Sequence, residues 1–259
     1  MPLIPREHGA YGQMAFPLAV ALGVAGPSAA GVLIGLAVVA AFLGHEALLI
    51  ALGFRGARAR REQGRRAVGW LVCCGIVALS AGIAAVALMP SGFRWSLALP
   101  LLPAAWLGAA IAAGREKTWQ GEVAAATAFS LVAVPVCLAA GGTTAVAFAV
   151  AIPFACMFVS GTLAVRAIIV NVRRGGDRCA TATMRRAVVA FAATGAAALA
   201  AAALARVLPA ATLIAAAPGL LVAVAIAAIL PSPARLRIIG WTLVATSVTT
   251  AVIVIATIG

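Results

Sequence analysis

The sequence predicts an all-α fold, a single polytopic bundle over residues 1–259 with about nine transmembrane helices. Two features of the composition indicate a membrane protein. Hydrophobic residues make up 64% of the chain and charged residues only 10%, which leaves too little polar surface to cover a water-soluble globule. The third observation is the length of the apolar stretches, because about 20 apolar residues cross the ~30 Å hydrocarbon core of a bilayer.

The predicted spans follow one another with short breaks. In chain order they cover residues 13–26, 29–54, 67–89, 95–113, 121–140, 143–170, 187–204, 210–230 and 238–258. The first is the shortest, so it is either a full span or a half-helix. The breaks alternate between turns rich in glycine and proline and loops rich in charge, and arginine is densest at 55–66 and 173–186.

The charges fall on one side of the predicted bundle. The chain has 19 Lys and Arg against 6 Asp and Glu, a formal net charge of +13. Threading it through the spans leaves only Arg94 and Arg206 on the opposite side. Because short loops rich in Lys and Arg stay in the cytoplasm, we expect a bacterial-type inner (plasma) membrane protein with a cytoplasmic N-terminus and an external C-terminus. The arginines lie between apolar stretches and do not cover a domain surface, so we expect no nucleic-acid partner.

Four ionisable side chains lie inside the predicted spans, where a charge is costly and tends to serve a function or a buried pair. His45 and Glu46 lie in the second span, Glu122 opens the fifth, and Arg166 lies near the end of the sixth. Two interpretations stay open. Either these groups pair with one another, as Glu46 or Glu122 with Arg166, or they line a shared polar cavity that binds a ligand.

Two polar segments flank this group. The N-terminal run 5–13 contains Glu7 and His8, and it either folds back beside the cavity or anchors the chain at the membrane interface. The loop after the sixth span combines an amide, an acid and three guanidinium groups, which suits an anionic head group or a diphosphate. Its candidate ligand-binding residues are Asn171, Arg173, Arg174, Asp177 and Arg178. A loop that holds only topology charges has a similar composition.

These residues give one hypothesis for a site. The loop arginines hold an anionic head, His8 or His45 transfers a proton, and Glu46 and Glu122 orient the head or stabilise a cation. The ligand-binding set also includes Glu7, Arg166, Asn171 and Asp177. The five cysteines lack Cys-x-x-Cys spacing, so they predict neither disulfides nor a thiolate metal site, and no residue is assigned as a metal ligand.

A short internal repeat indicates two related units. The string Arg-Arg-Ala-Val occurs at 65–68 and again at 185–188, each time where an apolar span resumes. This spacing predicts related bundles at 1–113 and 114–230, followed by a final helix at 238–258.

The opening Pro5-Arg6-Glu7-His8-Gly9-Ala10-Tyr11, followed by an apolar span with Pro17, resembles the start of the YwiC-like membrane proteins. Their signature reads Pro, basic, Gln or Glu, His, Gly, Ala, aromatic. The segment from Arg115-Glu116-Lys117 to Glu122 is similar to the middle segment of that family. The resemblance implies a membrane protein but no particular activity.

The wider architecture resembles the UbiA-type intramembrane prenyltransferases, in which nine helices carry two Asp-rich motifs, for Mg²⁺ and diphosphate, in the loops after helices two and six. The charge-rich loops of this chain come after its second and sixth spans. The resemblance implies an isoprenoid ligand and Mg²⁺ as cofactor. The chain departs from the pattern: the first loop offers Glu62, with Glu46 upstream, and the second offers Asp177, with Asn171 before it. Mg²⁺ needs clustered carboxylates in addition to substrate phosphates.

The leading hypothesis is therefore a cytoplasm-facing polar cavity that binds an amphiphilic anion, an isoprenoid or lipid phosphate, and one form of it is a divergent prenyltransferase. One alternative is a small-solute transporter or permease, favoured by spans broken by proline and by ionisable groups at membrane depth. Another is a non-catalytic membrane assembly protein. Beyond the Mg²⁺ that the resemblance implies, the sequence names no cofactor, and it sets no oligomeric state.

Overall fold

The computed structural model of the chain describes residues 3–5, 8–115, 118–173 and 178–259, and for His8 and Arg173 it describes the backbone alone. The described residues form helices and no β-strand, which confirms the predicted all-α class. The α-helices are α1 (His8–Ala25), α2 (Ala29–Ala51), α3 (Ala57–Leu88), α4 (Ala98–Ala112), α5 (Trp119–Leu131), α6 (Ala133–Ala139), α7 (Thr144–Arg173), α8 (Arg178–Leu204), α9 (Ala211–Ile229) and α10 (Leu236–Ile258). Short 3₁₀ helices, Ser91–Leu97 and Pro233–Arg235, lead into α4 and α10.

Helices α5 and α6 form one span with a break at Val132. The break has a local cause, because Pro135 has no amide hydrogen to donate to the carbonyl of Leu131, four residues earlier. In the described parts of the chain, eight helical segments are long and apolar enough to cross a membrane, while α1 is shorter. The chain is therefore an integral, multi-pass membrane protein.

The two longest charged loops of the prediction are largely helical. Helix α3 begins at Ala57 and not at residue 67, and α8 begins at Arg178 and not at residue 187. The physical reason is composition, since Arg, Gln, Glu and Ala all favour helix. In α3 the Arg58 Nε also donates to Glu62 Oε1 at 2.7 Å, an ion pair one helical turn apart. The charged ends of these helices are thus helical extensions of the apolar spans.

Helix α7 lies at the centre of the bundle. In the apolar segment of α7 that could cross the membrane, 72% of the residues are buried. The same fraction is only 17% in α3 and in α8, so those two helices lie at the periphery. Phe154 and Met157 of α7 are among the largest fully buried side chains. The short helix α1 is also internal, because it packs against α5, α6, α7 and α10. The central position of α7 brings Arg166 into the interior of the bundle.

Helices α2 and α3 form a closely packed hairpin. Gly44 lets the two backbones approach, since a Cβ atom at this position would lie 3.2 Å from Cys74 Cβ. The Trp70 Nε1 of α3 donates a hydrogen bond to the Leu43 carbonyl of α2 at 3.1 Å. The connecting turn uses Gly53 (φ +86°) and Gly56 (φ +95°), in the backbone region that favours glycine. This turn determines where the arginines at the start of α3 lie.

Ser28 caps the N-terminus of α2, where its Oγ accepts a hydrogen bond from the Gly31 amide at 3.0 Å. We expect Ser28→Ala to lower the free energy of unfolding by about 1 kcal/mol, because a first-turn amide loses its acceptor. Thermal unfolding in detergent micelles measures the change. Ser80→Ala is the matched control, since Ser80 is exposed and bonds only the carbonyl of Val77 in its own helix. Equal melting temperatures for the two variants would contradict the capping role.

Candidate functional site

An ion pair at the interior of the bundle joins α5 to α7. Arg166 of α7 donates from Nε to Glu122 Oε2 at 2.6 Å and from Nη2 to Glu122 Oε1. The Arg166 side chain is 13% exposed and that of Glu122 is 41% exposed. Glu122 lies in the first turn of α5, which Thr118 caps by accepting a hydrogen bond from the Gly121 amide. Of the two partners that the sequence allowed for Arg166, Glu46 and Glu122, the structure shows Glu122.

A second ion pair lies at the end of α2. Arg55 donates from Nε to Glu46 Oε1 at 2.8 Å and from Nη2 to Glu46 Oε2 at 2.7 Å. Both side chains are largely buried, with exposed fractions of 25% for Arg55 and 13% for Glu46. The chain leaves α2 after Ala51 and reverses at Gly53, so the Arg55 side chain returns along the helix to a residue that precedes it by nine. Glu46 is therefore bound by Arg55 and not by Arg166.

Three aromatic rings pack edge to face where α1, α2 and α5 meet. Tyr11 of α1 contacts Phe42 of α2 with ring centroids 4.9 Å apart, and Phe42 contacts Phe129 of α5 at 5.6 Å. The Tyr11 hydroxyl donates to the Pro5 carbonyl at 2.9 Å and so fixes the N-terminal segment beside α1. Such aromatic contacts add to the energy of simple burial.

These rings show that the candidate residues share one end of the bundle. His45 and Glu46 follow Phe42 by about one helical turn, toward the end of α2, and Glu122 precedes Phe129 by about two turns, at the start of α5. His45 is half-buried, and its Nε2 atom lies inside the protein. The start of α1, the end of α2, the start of α5 and the end of α7 are therefore at the same end of the bundle, which carries both ion pairs.

The end of α7 and the start of α8 lie at this same end. Thr181 of α8, which is 5% exposed, donates from Oγ1 to Asn171 Oδ1 of α7 at 3.4 Å, a long contact that ties the two helix ends together. Arg178 is the first residue of α8 and is exposed. Of the other predicted residues, Glu7, Arg174 and Asp177 lie outside the described part of the chain, and the side chains of His8 and Arg173 do too.

Every acidic side chain that the structure describes is bound by an arginine: Glu46 by Arg55, Glu62 by Arg58, and Glu122 by Arg166. Arg55 is the partner that the sequence reasoning missed. Its signal was the pair Gly53 and Gly56, which indicates a chain reversal directly after α2. The shared cavity remains a prediction. The described contacts show ion pairs instead, in which Glu46 and Glu122 are each bound by an arginine.

The described residues do not fit an Mg²⁺ site. Within residues 3–5, 8–115, 118–173 and 178–259, no three His, Cys, Asp or Glu side chains gather closely enough to hold a metal ion. The oxygens of Glu46 and Glu122 each face a guanidinium group, which occupies the positions that a cation would take. Mg²⁺ binds through carboxylates together with phosphates or water, so these two residues would first have to release their arginines.

Comparison with known proteins supports the resemblance seen at the N-terminus. The model of the YwiC-like protein family matches residues 4–137, just over half of the chain. The matched region contains the segment around Tyr11, the Glu46–Arg55 ion pair and Glu122, and it ends before Arg166. No curated protein and no solved structure matches the chain significantly. On the extent of the family match, the chain belongs to the YwiC-like family.

Proposed function

We propose that this protein binds an amphiphilic anion, an isoprenoid or lipid phosphate, at the end of the bundle where α1 begins and α2 and α7 end. The observation that carries the proposal is the Arg166–Glu122 ion pair, which keeps a guanidinium group inside a membrane helix bundle and pairs it with a partly exposed carboxylate. Ionisable groups at such positions are costly and commonly mark a binding site. The end of the bundle faces the cytoplasm in this proposal, because it carries the arginine-rich segments.

The head group is held by the connection between α7 and α8. Arg173 ends α7 and Arg178 begins α8, and about 10 Å of helix separates Arg166 from Arg173 at 1.5 Å per residue. We expect an anionic head bound by Arg173, Arg174 and Arg178 to lie beyond the cytoplasmic end of α7, with its apolar chain directed into the bundle. Guanidinium groups suit this role because they bind phosphate oxygens in pairs.

The other candidate residues line the lower wall of this proposed site. Glu46, held by Arg55, and the half-buried His45 come from α2, while Glu122 comes from α5. Glu7 precedes α1 in the sequence, and His8 is the first residue of that helix. Proton transfer by His8 or His45 goes beyond binding and belongs to the prenyltransferase-like form of the proposal. Analysis of the products formed from an added isoprenyl phosphate tests this reaction separately.

Binding of two probes, farnesyl phosphate and dioleoyl phosphatidic acid, to the full chain in phosphatidylcholine nanodiscs tests the proposal. We expect the wild-type protein to bind at least one of the two probes. Arg173→Gln/Arg174→Gln/Arg178→Gln should weaken binding of that probe by about tenfold or more, because charge-assisted contacts to its phosphate are lost. The matched control is Arg115→Gln/Arg235→Gln/Arg237→Gln, which removes three exposed arginines elsewhere. Equal weakening in both triple variants would show general charge attraction and contradict the site.

His45→Ala and Glu46→Ala are each expected to abolish binding of the same probe, because each removes a polar side chain that lines the proposed site beneath the head group. Unchanged binding in a folded variant would remove these residues from the site. Flux of a small solute through proteoliposomes, lost in Glu46→Gln or Glu122→Gln, would instead favour the permease.

A further inference from the structure

An open groove lies between the end of α2 and the first turns of α3. Its volume is about 410 Å³, and it is lined by Ala51, Arg60, Gly64, Arg65 and Val68. The groove is on the face of α2 that contacts α3, which also carries Gly44 and Ala47. It is therefore a different place from the Glu46–Arg55 ion pair, and none of its lining residues belongs to the proposed site.

Two arginines of this groove are available to an anion. Within the described part of the chain, no acidic side chain binds Arg60 or Arg65, and the nearest acid in sequence, Glu62, is held by Arg58. Arg60 lies over the turn that joins the two helices, since a Cβ atom at Gly53 would be 3.5 Å from its Cδ. Two guanidinium groups that flank one groove match the oxygens of a phosphate.

An apolar stripe on α3 starts in the groove and runs on along the helix. Val68, Val72, Ile76 and Leu79 recur at spacings of three and four residues, so they share one face with Arg65. Their exposed fractions are 50%, 53%, 63% and 69%, in that order. From Val68 to Leu79 the stripe is about 16 Å long at 1.5 Å per residue, comparable with a fatty-acyl chain.

We infer that the groove between α2 and α3 binds an anionic membrane phospholipid, with its phosphate at Arg60 and Arg65 and an acyl chain along the stripe from Val68 to Leu79. The position of the charged groove next to the apolar stripe determines the class of ligand. A free phosphate would use the arginines alone, whereas a lipid uses the charged groove and the adjoining apolar face together. This lipid is a component of the surrounding bilayer that stays bound to the hairpin, and it is separate from the ligand of the proposed site.

Native mass spectrometry of the full chain, incubated with an equal mixture of dioleoyl phosphatidylglycerol and dioleoyl phosphatidylcholine, tests the inference. We expect wild-type protein to retain phosphatidylglycerol in preference, and Arg60→Gln/Arg65→Gln to lower that retention by about tenfold. The control is Arg66→Gln/Arg235→Gln, which removes two exposed arginines, one beside the groove on another face of α3 and one before α10. Its retention should stay within about twofold of wild type.

Equal loss in both double variants, or no loss in either, would overturn the inference. Displacement of phosphatidylglycerol by excess inorganic phosphate would show that the groove holds a free anion and would overturn the lipid as its occupant. Thermal unfolding provides a second measurement if the variant is less stable. Phosphatidylglycerol should raise the melting temperature of wild type and of Arg66→Gln/Arg235→Gln, and not that of Arg60→Gln/Arg65→Gln.

Discussion

Glu122→Gln is expected to lower the free energy of unfolding by about 2 kcal/mol, because it removes the carboxylate from a guanidinium group that is only 13% exposed. The value is below that for a fully buried pair because the Glu122 side chain is 41% exposed and partly solvated. Reversible unfolding in mixed micelles measures it. The double variant Glu122→Leu/Arg166→Met should recover part of the loss, since it leaves neither charge behind.

Glu62→Gln is the matched control for this experiment. It breaks the Arg58–Glu62 pair, whose side chains are 87% and 54% exposed, and should change the free energy of unfolding by less than about 0.5 kcal/mol. If Glu62→Gln and Glu122→Gln were equally destabilising, the Arg166–Glu122 contact would have no special role in the interior of the bundle.

Gly219→Ala is expected to be more damaging still, by about 3 kcal/mol, the upper range for overpacking. Gly219 of α9 faces α7, and a Cβ atom there would lie 2.6 Å from Met157 Cβ and 3.1 Å from Met157 Cα. Neither neighbour is the flexible end of a side chain, so α9 would have to move away from the central helix. The same unfolding measurement detects the loss.

Gly240→Ala is the control for Gly219→Ala, because a Cβ atom at Gly240 of α10 meets nothing within 4 Å. It should leave stability unchanged or raise it by up to about 1 kcal/mol, through the better helix propensity of alanine. If Gly219→Ala behaved like Gly240→Ala, the close contact between α7 and α9 would not exist in the membrane.

The membrane-spanning helices were predictable because each is a long apolar stretch, and the length of such a stretch is visible in the sequence. Their charged ends were not. The segment that starts α3 is as rich in arginine as a cytoplasmic loop, yet its residues favour helix, and composition alone does not distinguish the two. The sequence likewise left open whether Glu46 or Glu122 pairs with Arg166, and it missed the pair of Glu46 with Arg55, because that pair depends on how the chain reverses at Gly53.

The repeated Arg-Arg-Ala-Val strings show the same limit of pattern reasoning. In the first, Ala67 is fully buried and Val68 is 50% exposed, whereas in the second Val188 is fully buried. The two strings thus present different residues to their neighbours, since four residues do not determine which face of a helix packs inward. The predicted relation between residues 1–113 and 114–230 stays a prediction.

Identification of the lipid that stays bound to the purified full chain, by native mass spectrometry without added lipid, tests the proposed binding function most directly. We predict an isoprenoid or lipid phosphate that is lost in Arg173→Gln/Arg174→Gln/Arg178→Gln and kept in Arg60→Gln/Arg65→Gln, which separates it from the lipid of the α2–α3 groove. Retention of zwitterionic lipid alone, or of the same anionic lipid in both variants, would contradict the proposal.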